Sequence, residues 1–138
     1  DCIIGNHCIL ANNAGLAGHV VLEDYVTLAG MVGASQFLKI GAHSYIGGQS
    51  GIDRDVPPYV IALGARPFQI KGTNIVGLRR RGFPAETIQK INESIKLWTR
   101  QDVQREQCLL EIESQYGELK EVQNFIQFIR SSDVGVVR

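Results

Sequence analysis

The sequence predicts an all-β parallel β-helix of three hexapeptide-repeat coils, followed by a small α-helical C-terminal bundle. Three observations carry that expectation. Aliphatic residues recur every six positions from Ile4 to Ile52, a Pro-Pro pair ends the recurrence, and apolar residues return at helical spacing after Phe83. With 138 residues, 44% of them hydrophobic and 20% charged, the chain can bury a core.

Stepping by six from Ile4 meets Leu10, Leu16, Leu22, Leu28, Ala34, Ile40, Ile46 and Ile52. The next position is small in most hexads: Gly5, Ala11, Ala17, Ala29, Ser35, Gly41 and Gly47. The one after holds Asn6, Asn12, Gly18, Asp24, Gly30 and Gly48, with Gln36, Ala42 and Arg54 as exceptions. Asn, Asp and Gly tolerate left-handed backbone angles, so the bend is placed there. Four along from each aliphatic come Cys8, Ala14, Val20, Val26, Val32, Leu38, Ser44, Ser50 and Val56, mostly small or β-branched. Each hexad therefore reads as a short strand with two inward side chains, then a bend. No hexad can bury its own inward face, but stacked coils do so for one another. Three hexads per turn give a triangular prism, and residues 4–57 supply three such coils. An ordinary β-sandwich would show irregular spacing and period-two alternation instead. The repeat is already in phase at Cys2, so further coils are expected before Asp1.

Charge and glycine divide the chain into three zones. Residues 1–57 form the Gly-rich body, residues 58–83 a basic connector loop, and residues 84–138 a three-helix region. Positions 57–83 carry five basic and no acidic side chains, whereas the segments on either side are net acidic. Pro57-Pro58 cannot supply ladder N–H groups, so the repeat ends there. The connector shows no period and is expected to hold at most one short strand, Tyr59–Leu63. Pro84 suits the first turn of a helix carrying Ile88, Ile91, Ile95 and Trp98. Asp102 is the expected N-cap of a second helix with Leu109, Ile112 and Tyr116, closed by Gly117. Val122, Phe125, Ile126 and Ile129 form the stripe of a third. The tail shows no chemistry of its own, and its charges read as a solvated face.

Formal net charge is zero, which argues against a general nucleic-acid binder. No apolar run approaches the roughly 18 residues of a membrane span. No segment has the charged-then-apolar pattern of a secretory signal. Cys2, Cys8 and Cys108 form no CxxC pair, so reduced thiols and a cytoplasmic location are expected. Cys2 and Cys8 hold inward positions and read as core. His7 and His43 differ by two coils and share a corner roughly 9.5 Å apart, while His19 sits on another. One chain cannot gather the three for zinc, and ligands from two chains are the alternative; no metal and no cofactor is expected. His19 follows Gly18 at a bend and should face outward, which is equally the habit of a plain surface histidine. Arg79-Arg80-Arg81 is the densest charge cluster, with Arg66 and Lys71 on the same stretch. Arginine forks suit phosphate oxygens, and a solvated basic loop is the alternative.

Four stretches resemble the acyl-carrier-protein-dependent UDP-N-acetylglucosamine O-acyltransferases of lipid A biosynthesis. They are Asp1-Cys2 with Gly5 to Asn13 and Leu16 to Val20, Gln36-Phe37 with Ile40 to His43, Asp55 to Ala62, and Asn74 to Phe83. The hexads are common to many acyltransferases. The Asp-Val-Pro-Pro-Tyr and Asn-Ile-x-Gly-Leu-Arg-Arg-Arg-Gly-Phe blocks are far more specific. The resemblance covers residues 1–83 and continues more loosely through the helices, as the C-terminal half of such an enzyme.

What the resemblance implies is a homotrimer of left-handed prisms with active sites in clefts between neighbours. A 3-hydroxyacyl group would pass from acyl carrier protein to the sugar 3-hydroxyl of UDP-N-acetylglucosamine. The Gly18 N–H would be an oxyanion donor. His19 and Gln36 would contact the sugar or acyl portion, Asn74 the uridine side, and Arg80 and Arg81 the diphosphate. Gly47 and Gly48 would floor an acyl groove. The family's general base is a histidine just before Asp-Cys, so it is expected immediately upstream of Asp1, and residues 1–138 by themselves are expected to be inactive. Ser35 stands where the family usually has histidine, and Gly64-Ala65-Arg66-Pro67 replaces its usual Gly-Asn-His stretch. Two alternatives stay open: an N-acyltransferase of a later lipid A step, which usually lacks the triple arginine, and a trimerising β-helix scaffold without activity.

Overall fold

The computed structural model describes residues 1–138 throughout. Nine two-residue strands, one per hexad, run in chain order: β1 (Ile3–Ile4), β2 (Ile9–Leu10), β3 (Gly15–Leu16), β4 (Val21–Leu22), β5 (Thr27–Leu28), β6 (Gly33–Ala34), β7 (Lys39–Ile40), β8 (Tyr45–Ile46) and β9 (Gly51–Ile52). Every third strand pairs in parallel, each residue opposite its counterpart three hexads on, as in Ile3↔Val21 and Thr27↔Tyr45. The sheets β1-β4-β7, β2-β5-β8 and β3-β6-β9 form the three faces of a prism. The inward residues are those the period marks. Leu22, Leu28, Ile40, Ile46 and Ile52 are almost wholly buried with Val20, Val26, Val32 and Val56. The first coil is packed from one side only, and there the inward Ile4 stays 45% exposed and Leu10 41%.

Small residues after each aliphatic answer a steric demand. A Cβ on Gly5 would stand 2.9 Å from the Asp24 backbone nitrogen of the next coil. One on Gly41 would run into the Pro58 nitrogen.

The left-handed backbone falls one residue later than the sequence suggests. Not Asn6, Gly18 or Asp24, but His7, Asn13, His19, Tyr25, Met31, Phe37, His43 and Gln49 take φ of 58–67°. Such angles cost a residue with a Cβ about 1–2 kcal/mol. Stacked coils supply the compensation. Tyr25, Met31, Phe37, His43 and Gln49 each donate their N–H to the carbonyl of Asn6, Asn12, Gly18, Asp24 and Gly30 respectively, at 2.9–3.0 Å.

The connector is more ordered than a loop. β10 (Val60–Leu63) and β11 (Gln69–Thr73) form an antiparallel hairpin, and α1 (Ile75–Arg80) follows at once. β10 also extends the second face by pairing in parallel with β8, Ile61 opposite Tyr45. That offset falls short of the three hexads that separate the other partners, because Pro57-Pro58 cuts the corner.

The helices are α2 (Ala85–Trp98), α3 (Arg105–Tyr116) and α4 (Lys120–Arg130). Their buried stripes include Ile88, Ile91, Ile95 and Trp98, then Leu109 and Ile112, then Val122, Phe125, Ile126 and Ile129. Pro84 caps α2 from outside its first turn. The cap of α3 is Gln104, without a side-chain bond, and not Asp102. Arg138 Nη2 donates to the Val103 carbonyl at 2.8 Å and pins the loop beyond Asp102. Gly117 ends α3 in right-handed conformation.

The chain end then straps the bundle to the prism. The buried Asp55 carboxylate accepts from the Lys39 N–H at 2.8 Å and the Ser132 hydroxyl at 2.7 Å. Its backbone exchanges bonds with Gly135 and Val137, both at 3.0 Å. The Trp98 indole donates to the Val137 carbonyl at 2.9 Å.

Candidate functional site

Side chains at the left-handed positions project from the corners and pile up one per coil. At the first corner His7 and Tyr25 stack with ring centroids 4.8 Å apart, and Tyr25 and His43 follow at 4.9 Å. Tyr59 continues the column at 6.0 Å, and Phe83 meets His43 edge-on at 4.9 Å. The second corner carries Asn13, Met31 and Gln49. At the third, His19 and Phe37 stack at 4.8 Å with planes 1° apart.

The end of α1 delivers an arginine to the first corner. Arg81 lies with its guanidinium 5.0 Å over the Tyr25 ring. Its Nη1 donates to His43 Nδ1 at 3.2 Å. Asn74 caps α1 by accepting from the Gly77 N–H at 3.3 Å, and its Nδ2 donates to the His43 carbonyl at 2.9 Å. Gly77 must lack a side chain here, since a Cβ would stand 2.5 Å from Asn74 Nδ2. Burial, and next the Arg81 charge, push the His43 imidazole down to about 4 against a weaker pull from Asp24. His43 is therefore neutral near pH 7. Burial also lowers Arg81, and Arg80 adds to that. No carboxylate pairs with Arg81.

The expected site residues divide among the corners. Asn74 and Arg81 meet at the first, whereas Arg80 is exposed and has no partner there. Gly18, His19 and Gln36 lie at the third, all exposed. The Gly18 N–H donates to nothing within the chain, and the space beside its Cα is open. His19 Nε2 lies 3.8 Å from Asp1 Oδ2. Gly47 and Gly48 precede the second corner and differ from each other. A Cβ on Gly47 would stand 2.9 Å from the Leu63 Cβ, so the β10 side chain overhangs it. One on Gly48 would meet only the Gly30 carbonyl at 3.4 Å and Ala29 at 3.9 Å. Arg66 lies by the third face with Gly15 and Gly33, away from the arginines of α1.

A prism's corners face three directions, so one chain cannot gather these groups into one pocket. The largest cleft, about 540 Å³, lies instead between Glu23, Lys39 and Tyr59 of the coils and Asn124 and Phe128 of α4, and none of the expected site residues lines it. The sequence reading gave no role to Tyr25, Tyr59 or Phe83, although the last two lie in the resembling stretches, and it weighed His43 only as a metal ligand and as part of such a stretch. The signal was present, because His7, Tyr25 and His43 follow one another at intervals of one full coil.

Comparison with known proteins agrees with this architecture. Residues 55–137 match the model of a family described as UDP N-acetylglucosamine O-acyltransferase, domain 2. Over all 138 residues the chain is 43% identical to an acyl-[acyl-carrier-protein]–UDP-N-acetylglucosamine O-acyltransferase of Ectopseudomonas mendocina, covering 53% of that protein. A solved UDP-N-acetylglucosamine acyltransferase from Bacteroides fragilis superposes with TM-score 0.94 at 33% identity, covering 99% of this chain and 53% of that one. One from Francisella novicida gives 0.92 at 35%, covering 100% and 50%. The chain thus spans about half the length of the relatives it matches, and its prism is the left-handed parallel β-helix of those structures. By sequence and by fold, the chain belongs to the UDP-N-acetylglucosamine O-acyltransferase family.

Proposed function

We propose that this chain forms part of an acyltransferase that moves a 3-hydroxyacyl group from acyl carrier protein to the 3-hydroxyl of UDP-N-acetylglucosamine, the first step of lipid A biosynthesis. The observation that carries the reading is Arg81, half-buried over Tyr25, bonded to His43 and without any carboxylate partner. A guanidinium held that way suits a diphosphate. Arg80, exposed beside it, adds a second, looser contact. Asn74 bounds the uridine side, where its amide already holds α1 and the His43 carbonyl.

The third corner supplies the reacting end. The sugar hydroxyl attacks the thioester carbonyl, the oxyanion that forms accepts from the free Gly18 N–H, and the carrier's thiolate leaves. One such donor typically contributes about 10²–10³ in rate. His19 and Gln36 flank the sugar and acyl portions. The hydroxyl proton goes to the family's general base, a histidine preceding Asp-Cys; residues 1–138 supply the binding groups and the oxyanion donor. The first corner of one copy and the third corner of a neighbour would together complete the site, and the working unit proposed is a homotrimer in the cytoplasm.

Calorimetric titration with UDP-N-acetylglucosamine tests the reading. Saturable binding is expected, weakened about tenfold or more in Arg81→Ala, as for loss of a hydrogen bond to a charged group. A folded chain that binds no UDP-sugar would favour the scaffold alternative.

A further inference from the structure

His43 is held on every side. Tyr25 and Tyr59 stack on its ring, Phe83 meets it edge-on, its N–H donates to the Asp24 carbonyl, and its own carbonyl accepts from Asn74. That leaves one ring atom with a directed task, Nδ1 at 3.2 Å from Arg81 Nη1. An arginine in a protein does not give up its proton, so Nδ1 is the acceptor. With Nη1 bound there and Cζ held 5.0 Å over the Tyr25 ring, the remaining N–H groups of Arg81 are constrained in direction. Arg80 has no such support.

We propose that His43 is a positioning residue that orients Arg81 toward the diphosphate of the nucleotide sugar, with Tyr25 as the platform. The proposal rests on the reading that Arg81 holds that diphosphate. It predicts a division between adjacent arginines: Arg81 is preorganised, and preorganisation raises affinity by removing the cost of ordering a long side chain on binding.

Two substitutions separate the acceptor from the packing. His43→Phe keeps the stacked ring and removes Nδ1; the left-handed backbone tolerates it, since Phe37 has φ 67° at the third corner. His43→Asn removes the ring but restores an acceptor near the same place. Calorimetry with UDP and with uridine reads the outcome. His43→Phe is expected to weaken UDP binding about tenfold and leave uridine binding unchanged, while His43→Asn recovers most of the loss. In an Arg81→Ala background His43→Phe should cost nothing further, because the acceptor has lost its arginine. Additive losses, or UDP binding by His43→Phe equal to the parent's, would overturn the positioning role while leaving the diphosphate reading in place. Failure of the parent to bind UDP would overturn both.

Discussion

A histidine beside an arginine is ordinarily a repulsive pair, and His43 avoids the repulsion by staying neutral. Burial is the larger cause of its depression to about 4, and the Arg81 charge the second. The linkage follows from the sign. Between the folded value near 4 and the ordinary value of 6.5, the unfolded chain binds the proton that the folded chain refuses. His43 therefore contributes stability that is fully present above pH 6.5 and is lost as pH falls to about 4. On a half-buried ring, after solvent screening, this amounts to about 1–2 kcal/mol. Urea denaturation of the parent and of His43→Asn at pH 7 and pH 4.5 checks it. The parent should lose more stability across that interval, and equal losses would remove His43 as the cause. Asp55 acts at the same scale through hydrogen bonds. Asp55→Ala would orphan the Lys39 N–H and the Ser132 hydroxyl and loosen the terminal strap. A cost of about 2–4 kcal/mol is expected in the same denaturation experiment. A loss below about 1 kcal/mol would show that the backbone bonds to Gly135 and Val137 hold the strap by themselves.

Elements differ in how plainly their residues declare them. The nine short strands were legible because one physical demand, an inward aliphatic in every hexad, repeats without interruption from Ile4 to Ile52. The bends were legible in spacing but misplaced by one residue. Met31, Tyr25 and Phe37 hide a left-handed backbone whose cost is offset by hydrogen bonds to the previous coil, and no local composition reveals such bonds. The hairpin was obscured by Gly64 and Pro67 at its turn and by the shortened corner after Val56. At six residues, α1 is too short to show a period, yet it aims Arg81. The glycines before the second corner make the next test. Gly47 is small because Leu63 of β10 overhangs it, whereas Gly48 faces outward with room beside it. Gly47→Ala should therefore destabilise by about 1–3 kcal/mol through forced displacement of Leu63. Gly48→Met should fold normally. If an acyl chain lies along that wall, each buried methylene contributes about 0.8 kcal/mol, so Gly48→Met should shift product toward shorter acyl donors. The assay is a competition between short and long 3-hydroxyacyl carrier proteins in the enzyme carrying its general base. An unchanged product ratio would move the length determinant elsewhere.

At the scale of the whole molecule, the proposed function ties the site to the assembly. Arg81 stands at the first corner and His19 at the third, so a cleft that uses both must join two copies. Closing that contact by rotation makes a ring, which in the proposed homotrimer has three members and one cleft per pair of neighbours. Mixing two defective chains tests this directly. Let one carry His19→Ala, which spoils its third corner, and the other Arg81→Ala, which spoils its first. Each alone forms rings in which every cleft is damaged. In any ring that contains both, going round in one sense, an Arg81→Ala chain is followed at some point by a His19→Ala chain. The cleft between them takes its third corner from the former and its first corner from the latter, and both are intact. The co-refolded mixture should therefore bind UDP-N-acetylglucosamine at the parent's affinity with reduced stoichiometry, while neither variant alone does. If each binding site lay within a single chain, no combination of the two could rebuild one, and the mixture would bind no better than its parts.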